Sequence, residues 1–514
     1  MFKKLLQSSI IVSFFTLISR VLGLIRDIVI ANLIGAGMSS DVFILANKIP
    51  NFLRRLFAEG SFSQAFIPVL SEYKEKKPDE VQLLISSVLG TLGGIITATT
   101  LIGMICSPII MAIFANGWFV DYIQNDGTKF TIASSLLKIT FPYLWFISFV
   151  AFSAAVLNTF GKFSIGAISP VFLNISMIAF GIYICPKLES PEFGLAASIF
   201  VGGLLQFLFQ IPFLYKKNLL VKPKWNWHYE GVKKIKNLML PGIFSLSVSQ
   251  INLMIDSIIA SYLVTGSISW LYYSDRILEF PIGLFSIAIV VVLSPQLSKQ
   301  FARKETAEYT KTIDWGVKTI FAVGIPSMFG ILILVKPIII TVFMHGKFNA
   351  ADMNMTANSL IAYIMGLIAI MLGKVFSSGF SCMQNTKTPA KYAVIAVCIN
   401  IIFNVILSIK LGHVGLAAAT SIAATANMVL LYSKLNKLKV YKITADTLWF
   451  TTKVLIAAAI MGILIYFYKP TTENWIEMQK TKQVYKLIEL VVIGGVSYLT
   501  TFGILKCHRN IMER

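Results

Sequence analysis

Charge is scarce in this chain, and acidic charge scarcest: 24 Asp and Glu stand against 45 Lys and Arg in 514 residues, and charged residues make up 13% of the total. A soluble domain carries about 25% charged and 45–50% apolar residues; here the apolar share is 56%. That excludes an ordinary water-soluble domain. Only five cysteines occur (Cys106, Cys185, Cys382, Cys398 and Cys507), with no C-x-x-C pair and no accompanying histidine pattern. Neither zinc nor a disulfide framework is indicated, and the cysteines are expected to serve packing. The four histidines (His228, His345, His413, His508) all avoid the centres of apolar runs, which argues against a proton relay. There is no metal-ligand cluster, no nucleophile with a paired base and no phosphate-cradling glycine loop, so a membrane enzyme is disfavoured. The opening "MFKKLLQSSIIVSFF" starts like a signal peptide. No small-residue cleavage site follows it, and it is expected to remain as a first helix.

What the chain has in quantity is apolar runs. They fall at about residues 8 to 34, 41 to 74, 81 to 115, 129 to 158, 163 to 185, 193 to 215, 232 to 264, 267 to 299, 314 to 344, 354 to 384, 389 to 411, 414 to 434, 446 to 468 and 484 to 506. A spanning helix needs roughly 20 apolar residues, so the expectation is an all-α polytopic membrane protein with about 14 transmembrane helices. The positive surplus is dealt out between the runs: "EYKEKK", "YKKNLLVKPKWNWHYEGVKKIK", "SKQFARKETAEYTK" and "YSKLNKLKVYK" alternate with nearly uncharged loops such as "GAGMSSD" and "SPEFG". Such alternation marks topology, not nucleic-acid binding, and places both termini in the cytoplasm.

A motif series occurs twice. "FSAAVLNTFGKF" (152 to 163) matches "FSSGFSCMQNTK" (376 to 387); each is followed by an apolar run bearing an asparagine, Asn174 or Asn400, then by "GLAAS" (194 to 198) or "GLAAATS" (415 to 421). Six runs separate the copies, so they share an orientation and form a parallel repeat. The expected divisions are a six-helix lobe at 1–217, a basic linker at 218–231, a second six-helix lobe at 232–440, and two added helices at 441–514.

Charges inside the runs are the functional candidates, because each costs about 2.5–3.5 kcal/mol at a helix centre. Arg20 lies about 12 residues into the first run, roughly 18 Å deep at 1.5 Å per residue. Arg20 and Asp27, seven apart, share a helical face, so a structural pair between them would leave Arg26 as the free cation. Ser39, Ser40 and Asp41 are candidates to cap the second run. That run is longer than a membrane core is thick, and Pro50, Gly60 and Pro68 are expected to bend or break it. Arg54, Arg55 and Glu59 lie near its middle, where an interfacial position is the rival account. In "YYSDRILEFP" an ion pair of Arg276 with Asp275 or Glu279 is expected. Lys138, Asp256 and Lys374 are isolated. The cations are mostly arginine, whose planar fork suits phosphate.

At these residues the chain resembles the MurJ/MviN family of lipid II flippases, within the superfamily that also holds multidrug and polysaccharide exporters. The strings "SRVLGLIRD", "GAGMSSDVF", "KIPNFLRRLFAEGSFSQAFIPVLSEYK", "SWLYYSDRILEFPIGLFSIAI" and "NTKTPAKYAV" carry the resemblance over essentially the whole chain. It implies two lobes about a central cavity, with the last two helices forming a lipid-tail groove. It also implies substrate-binding roles for Arg20, Arg26, Asp41, Arg54, Arg276 and Ser269, supported by Asp27, Arg55, Glu59, Asp275, Glu279 and Lys374. The implied substrate is lipid II, moved across the bacterial cytoplasmic membrane for cell wall synthesis, with membrane lipids and the cell wall synthesis machinery as partners. No cofactor or metal is implied; coupling to the membrane potential or a counter-ion stays open. A cation-coupled multidrug or polysaccharide-lipid exporter of the same superfamily is the alternative, and a drug exporter would call for an acidic or aromatic cavity.

Overall fold

The structure is a computed structural model whose backbone is described for residues 2–55 and 61–507. Side chains in that range are described except at 2–10, 12–13, 61, 241–242, 244–249 and 251. Every regular element among the described residues is helical. Ten helical segments are long and apolar enough to cross a membrane, among them Thr128–Thr159, Ser267–Ala302 and Thr306–Val342. The pair Ala350–Ile364 and Leu367–Cys382, bent by 41° at a short break, makes an eleventh. The other three apolar runs form Phe2–Ile34, Met38–Arg54 with Ser61–Lys76, and Glu230–Ala260, and all three include residues outside the side-chain description. The architecture is thus all-α and multi-pass, with ten or eleven spans established where fourteen are expected.

Several interior boundaries differ from the runs. The helix Met38–Arg54 passes through Pro50, and Ser61–Lys76 passes through Pro68, so neither proline ends its helix. Membrane helices tolerate proline because neighbouring groups re-satisfy the freed backbone. The interruption falls instead between Arg55 and Ser61, a stretch that takes in Gly60 and lies outside the described residues. Elsewhere the breaks sit where proline favours a helix start. Ser107–Phe114 begins beside Pro108, and Tyr143–Thr159 follows Pro142. After Pro281 a π-helical turn, Ile282–Ser286, carries the chain on without a break, as wide turns do inside α-helices.

By packing, the chain divides into two compact units, Met1–Ile268 and Ser269–Arg514. The helix Glu230–Ala260 packs on Ser61–Lys76 within the first, so the packing division falls later than the linker at 218–231. In the first unit the rings of Phe62, Phe66 and Phe152 stack at 5.0 and 5.3 Å within a core closed by Leu84, Val156 and Leu157. In the second, Tyr309, Ile313, Val317 and Ile320 pack against Leu367, Met371, Val375 and Phe380. The last two long helices, Ala445–Tyr468 and Lys480–Ile504, pack on each other and on Thr306–Val342.

The duplicated motifs lie on corresponding elements. "FSAAVLNTFGKF" closes Tyr143–Thr159 and "FSSGFSCMQNTK" closes Leu367–Cys382. Asn174 and Asn400 are buried in the helices that follow. Gly194, Leu195 and Ala196 are buried at the start of Pro191–Tyr215, as are Gly415, Leu416 and Ala417 at the start of His413–Lys437. The cysteines are free thiols. Cys185 and Cys507 are buried, but Cys398 is exposed on the face of Lys387–Leu411 and so is no packing residue.

Candidate functional site

In the first unit the charged centre forms around Arg26. Its Nε and Nη2 donate to Asp27 Oδ1 at 3.0 and 2.8 Å, and its Nη1 donates to Asn174 Oδ1 at 3.1 Å. These three bonds fix the plane of the guanidinium. Asn174 turns its amide back to the Ser19 carbonyl, 3.1 Å away, so one asparagine ties two turns of Phe2–Ile34 to Phe163–Ala179. Asp27 is 2% exposed. A buried carboxylate needs a partner, and the preceding residue, Arg26, supplies it.

This reverses the pairing expected from helical spacing. Arg26, not Arg20, takes Asp27, because a long guanidinium stem can fold onto its neighbour while an i,i+7 pair must span two turns. Arg20 is the cation left over: it is exposed, and no hydrogen bond or ion pair joins it to any described residue.

Asp41 does not cap its helix. Met38–Arg54 is capped by Gly37 with no side-chain bond, and neither Ser39 nor Ser40 serves. Asp41, 2% exposed, instead accepts the backbone N–H of Gly266 at 2.7 Å through Oδ2. Gly266 has φ +99°, a conformation open chiefly to glycine. Further along the same helix, Lys48 donates to Ser257 Oγ at 2.7 Å. Arg54 ends the helix half-buried, Arg55 follows it exposed, and Glu59 lies outside the described residues.

In the second unit, Arg276 pairs with Glu279 at 3.0 Å and lies over the Tyr272 ring, 4.8 Å from its centroid. This is the i,i+3 member of the two pairings expected. Asp275 is half-buried one residue earlier, and Ser269 is fully buried near the start of the same helix. Lys374 is exposed and lines a cavity of about 620 Å³ together with Ser377, Ser378, Ser381 and Asn427. Its other walls are apolar.

Three polar groups escaped the sequence reading as site or framework residues. Asn174 was visible only as a repeat marker, although its recurrence as Asn400 was the available signal. Lys48 stood in plain view inside an apolar run. Lys318, nearly buried, bonds Asp314 at 2.9 Å and Asp446 at 2.5 Å; its i,i+4 spacing from Asp314 was the clue.

Comparison with known proteins agrees with this architecture along its length. The family model described as lipid II flippase MurJ matches residues 30–485. A Vibrio cholerae protein described as a probable lipid II flippase MurJ is 50% identical over 506 residues, covering 98% of this chain and 96% of its own. A Haemophilus influenzae protein of the same description is 50% identical, covering 96% and 99%. A solved lipid II flippase MurJ in an inward closed conformation superposes with a TM-score of 0.78 at 30% identity, covering 98% of this chain and 100% of that one. An inward-facing multidrug MATE transporter, 13% identical with a TM-score of 0.67 and covering 84% and 98%, shares the fold. With its whole length matched at this identity, the chain belongs to the lipid II flippase MurJ family.

Proposed function

We propose that the protein is a transporter that carries lipid II, the undecaprenyl-diphosphate-linked peptidoglycan precursor, from the inner to the outer leaflet of the bacterial cytoplasmic membrane. No bond is made or broken. The observation that carries the reading is Arg20: a permanent cation midway along an apolar helix, without a partner among the described residues. A guanidinium at that depth requires water or an anion, and a diphosphate offers several oxygens for bidentate contact. Family membership supplies the substrate class.

In this reading transport proceeds by alternating access. Arg20 receives the diphosphate first. Arg26, oriented by Asp27 and Asn174, acts with it, and Arg54, Arg276, Asp41 and Ser269 are the further substrate-binding residues of this reading. The undecaprenyl tail stays in lipid, running along the last two helices. Both termini are cytoplasmic by the distribution of Lys and Arg in the loops, and the product feeds the cell wall synthesis machinery.

The test is to deplete a cell's own flippase, express this chain, and measure lipid II accessible at the outer leaflet. Wild type restores it; failure to do so refutes the assignment. Arg20→Ala, which removes no contact made to a described residue, is expected to accumulate normally and to lower outer-leaflet lipid II at least tenfold. Full rescue by Arg20→Ala removes Arg20 from the site.

A further inference from the structure

The basic segment between the helices Pro191–Tyr215 and Glu230–Ala260 is fastened lengthwise to the helix Val81–Ile105 as an extended strap. Asn218 O accepts from Gln82 Nε2 at 3.0 Å. Lys224 N donates to Ser86 O at 3.0 Å, Ser86 Oγ donates to Lys222 O at 2.5 Å, and Asn226 N donates to Thr91 Oγ1 at 3.3 Å. Two glycines permit the approach. A Cβ on Gly90 would stand 2.3 Å from the Lys224 carbonyl carbon, and one on Gly94 would stand 2.5 Å from the Trp225 ring. From Gln82 to Gly94 is twelve residues, so the strap tracks the helix for about 18 Å.

Under the strap lies an apolar cavity of about 430 Å³. Trp145, Phe149, Phe152 and Phe207 line it from the helices; Leu219, Leu220, Val221 and Pro223 line it from the strap. On the outer side the strap exposes Lys216, Lys217, Lys222 and Lys224, and carries no acidic residue between Tyr215 and Tyr229. Tyr215 and Trp225 are also exposed, at 71% and 64%. Exposed Trp and Tyr beside lysines mark the interfacial level of a bilayer, and a basic pocket between membrane helices suits an anionic head group. The floor takes hydrocarbon; the rim takes negative charge.

We infer that this strap and cavity form a binding site for an anionic membrane phospholipid, its acyl chain among Trp145, Phe149 and Phe207 and its phosphate at Lys222 and Lys224. The site belongs to the first unit alone and does not depend on the transport reading. Charge complementarity selects the occupant: a zwitterionic lipid would fill the cavity equally well but would gain nothing from four uncompensated lysines. The glycines at 90 and 94 hold the lysine-bearing backbone over the cavity mouth.

The experiment uses the full-length purified protein, delipidated in detergent, with a phosphatidylglycerol probe that carries a photoreactive acyl terminus. Labelled peptides are mapped by mass spectrometry. Label is expected within 145–153, 207–214 and 219–223, and is expected to be at least tenfold weaker from the matching phosphatidylcholine probe. The double variant Lys222→Gln/Lys224→Gln, altering only exposed side chains, is expected to weaken phosphatidylglycerol labelling about tenfold with unchanged thermal melting. Gly90→Val, which must push the strap away, is expected to lose the label selectively from 219–223. Equal labelling by both lipids, undiminished labelling of the double variant, or label confined to other segments overturns the proposal. So does displacement of the label by a polyprenyl diphosphate at concentrations where excess phosphatidylglycerol has no effect, which would assign the cavity to the transported lipid.

Discussion

At the scale of single residues, Asp41 shows how a structural and a substrate role can be separated. Its carboxylate receives the Gly266 N–H, a charge-assisted bond whose loss leaves a buried donor unsatisfied at a cost of about 1–3 kcal/mol. Asp41→Asn keeps one acceptor oxygen for the Gly266 N–H, removes the charge and turns the other oxygen into an NH2 donor. Asp41→Ala is therefore expected to lower the melting temperature of the purified protein, and Asp41→Asn to leave it within a degree or two. If Asn also sustains outer-leaflet lipid II, Asp41 serves as an anchor; if it abolishes transport at full stability, the charge itself is used. Asn174 makes a similar case. It joins Arg26 to the Ser19 carbonyl, and Asn174→Leu, of similar volume, removes both bonds. The expected loss is about 1–3 kcal/mol, read as a lower melting temperature. An unchanged melt would show that the Arg26 centre does not depend on Asn174 for its stability.

At the scale of elements, periodicity located the helices but not their joints. Apolar runs register burial in lipid, which continues across a kink, so the breaks at Cys106 and Pro142 left no gap in the run. Proline marked some joints, at Pro108 and Pro142, but Pro50 and Pro68 sit inside intact helices, because neighbouring helices decide whether a freed carbonyl is satisfied. Ion pairing was legible only where both partners share a helix within one turn, as with Arg276 and Glu279. The Arg26–Asn174 link joins residues 148 apart, and the recurrence of the asparagine marks the position without naming its partner. The attachment of the added helices is equally non-local. Asp314 accepts from Lys318, from Tyr441 Oη at 2.9 Å and from Thr447 Oγ1 at 2.7 Å, while Lys318 also reaches Asp446. Lys318→Met is expected to destabilise the seam between Thr306–Val342 and Ala445–Tyr468 by about 1–3 kcal/mol. Fully buried pairs lose about 3–5 when one partner goes, but Asp446 is 57% exposed and its share is screened by solvent. Hydrogen exchange at residues 441–450 should rise in this variant ahead of global unfolding; uniform exchange would place the stability of the seam in its apolar contacts.

At the scale of the whole molecule, the class, the polytopic architecture and the duplication follow from composition and from the spacing of motifs, since lipid imposes its hydropathy on every span. Contacts between distant helices, such as that of Arg26 with Asn174, do not, because no local pattern encodes which faces meet. We propose that the energetics at this scale come from the charge moved. A lipid-linked diphosphate leaving a negative cytoplasm travels down the field, and each uncompensated elementary charge is worth about 2.3 kcal/mol per 100 mV. Two such charges at 100 mV would bias the distribution outward by about 4.6 kcal/mol, whereas a diphosphate fully neutralised by the arginines during transit would gain its advantage only when the empty, positively charged carrier returns inward, again with the field. Both routes have one sign. Collapsing the membrane potential with a potassium ionophore at high external potassium, with the pH gradient maintained, is therefore expected to slow the appearance of lipid II in the outer leaflet. Transport that persists at its full rate without a potential, and stops when a particular cation is withdrawn, would transfer the driving force from the field to a counter-ion.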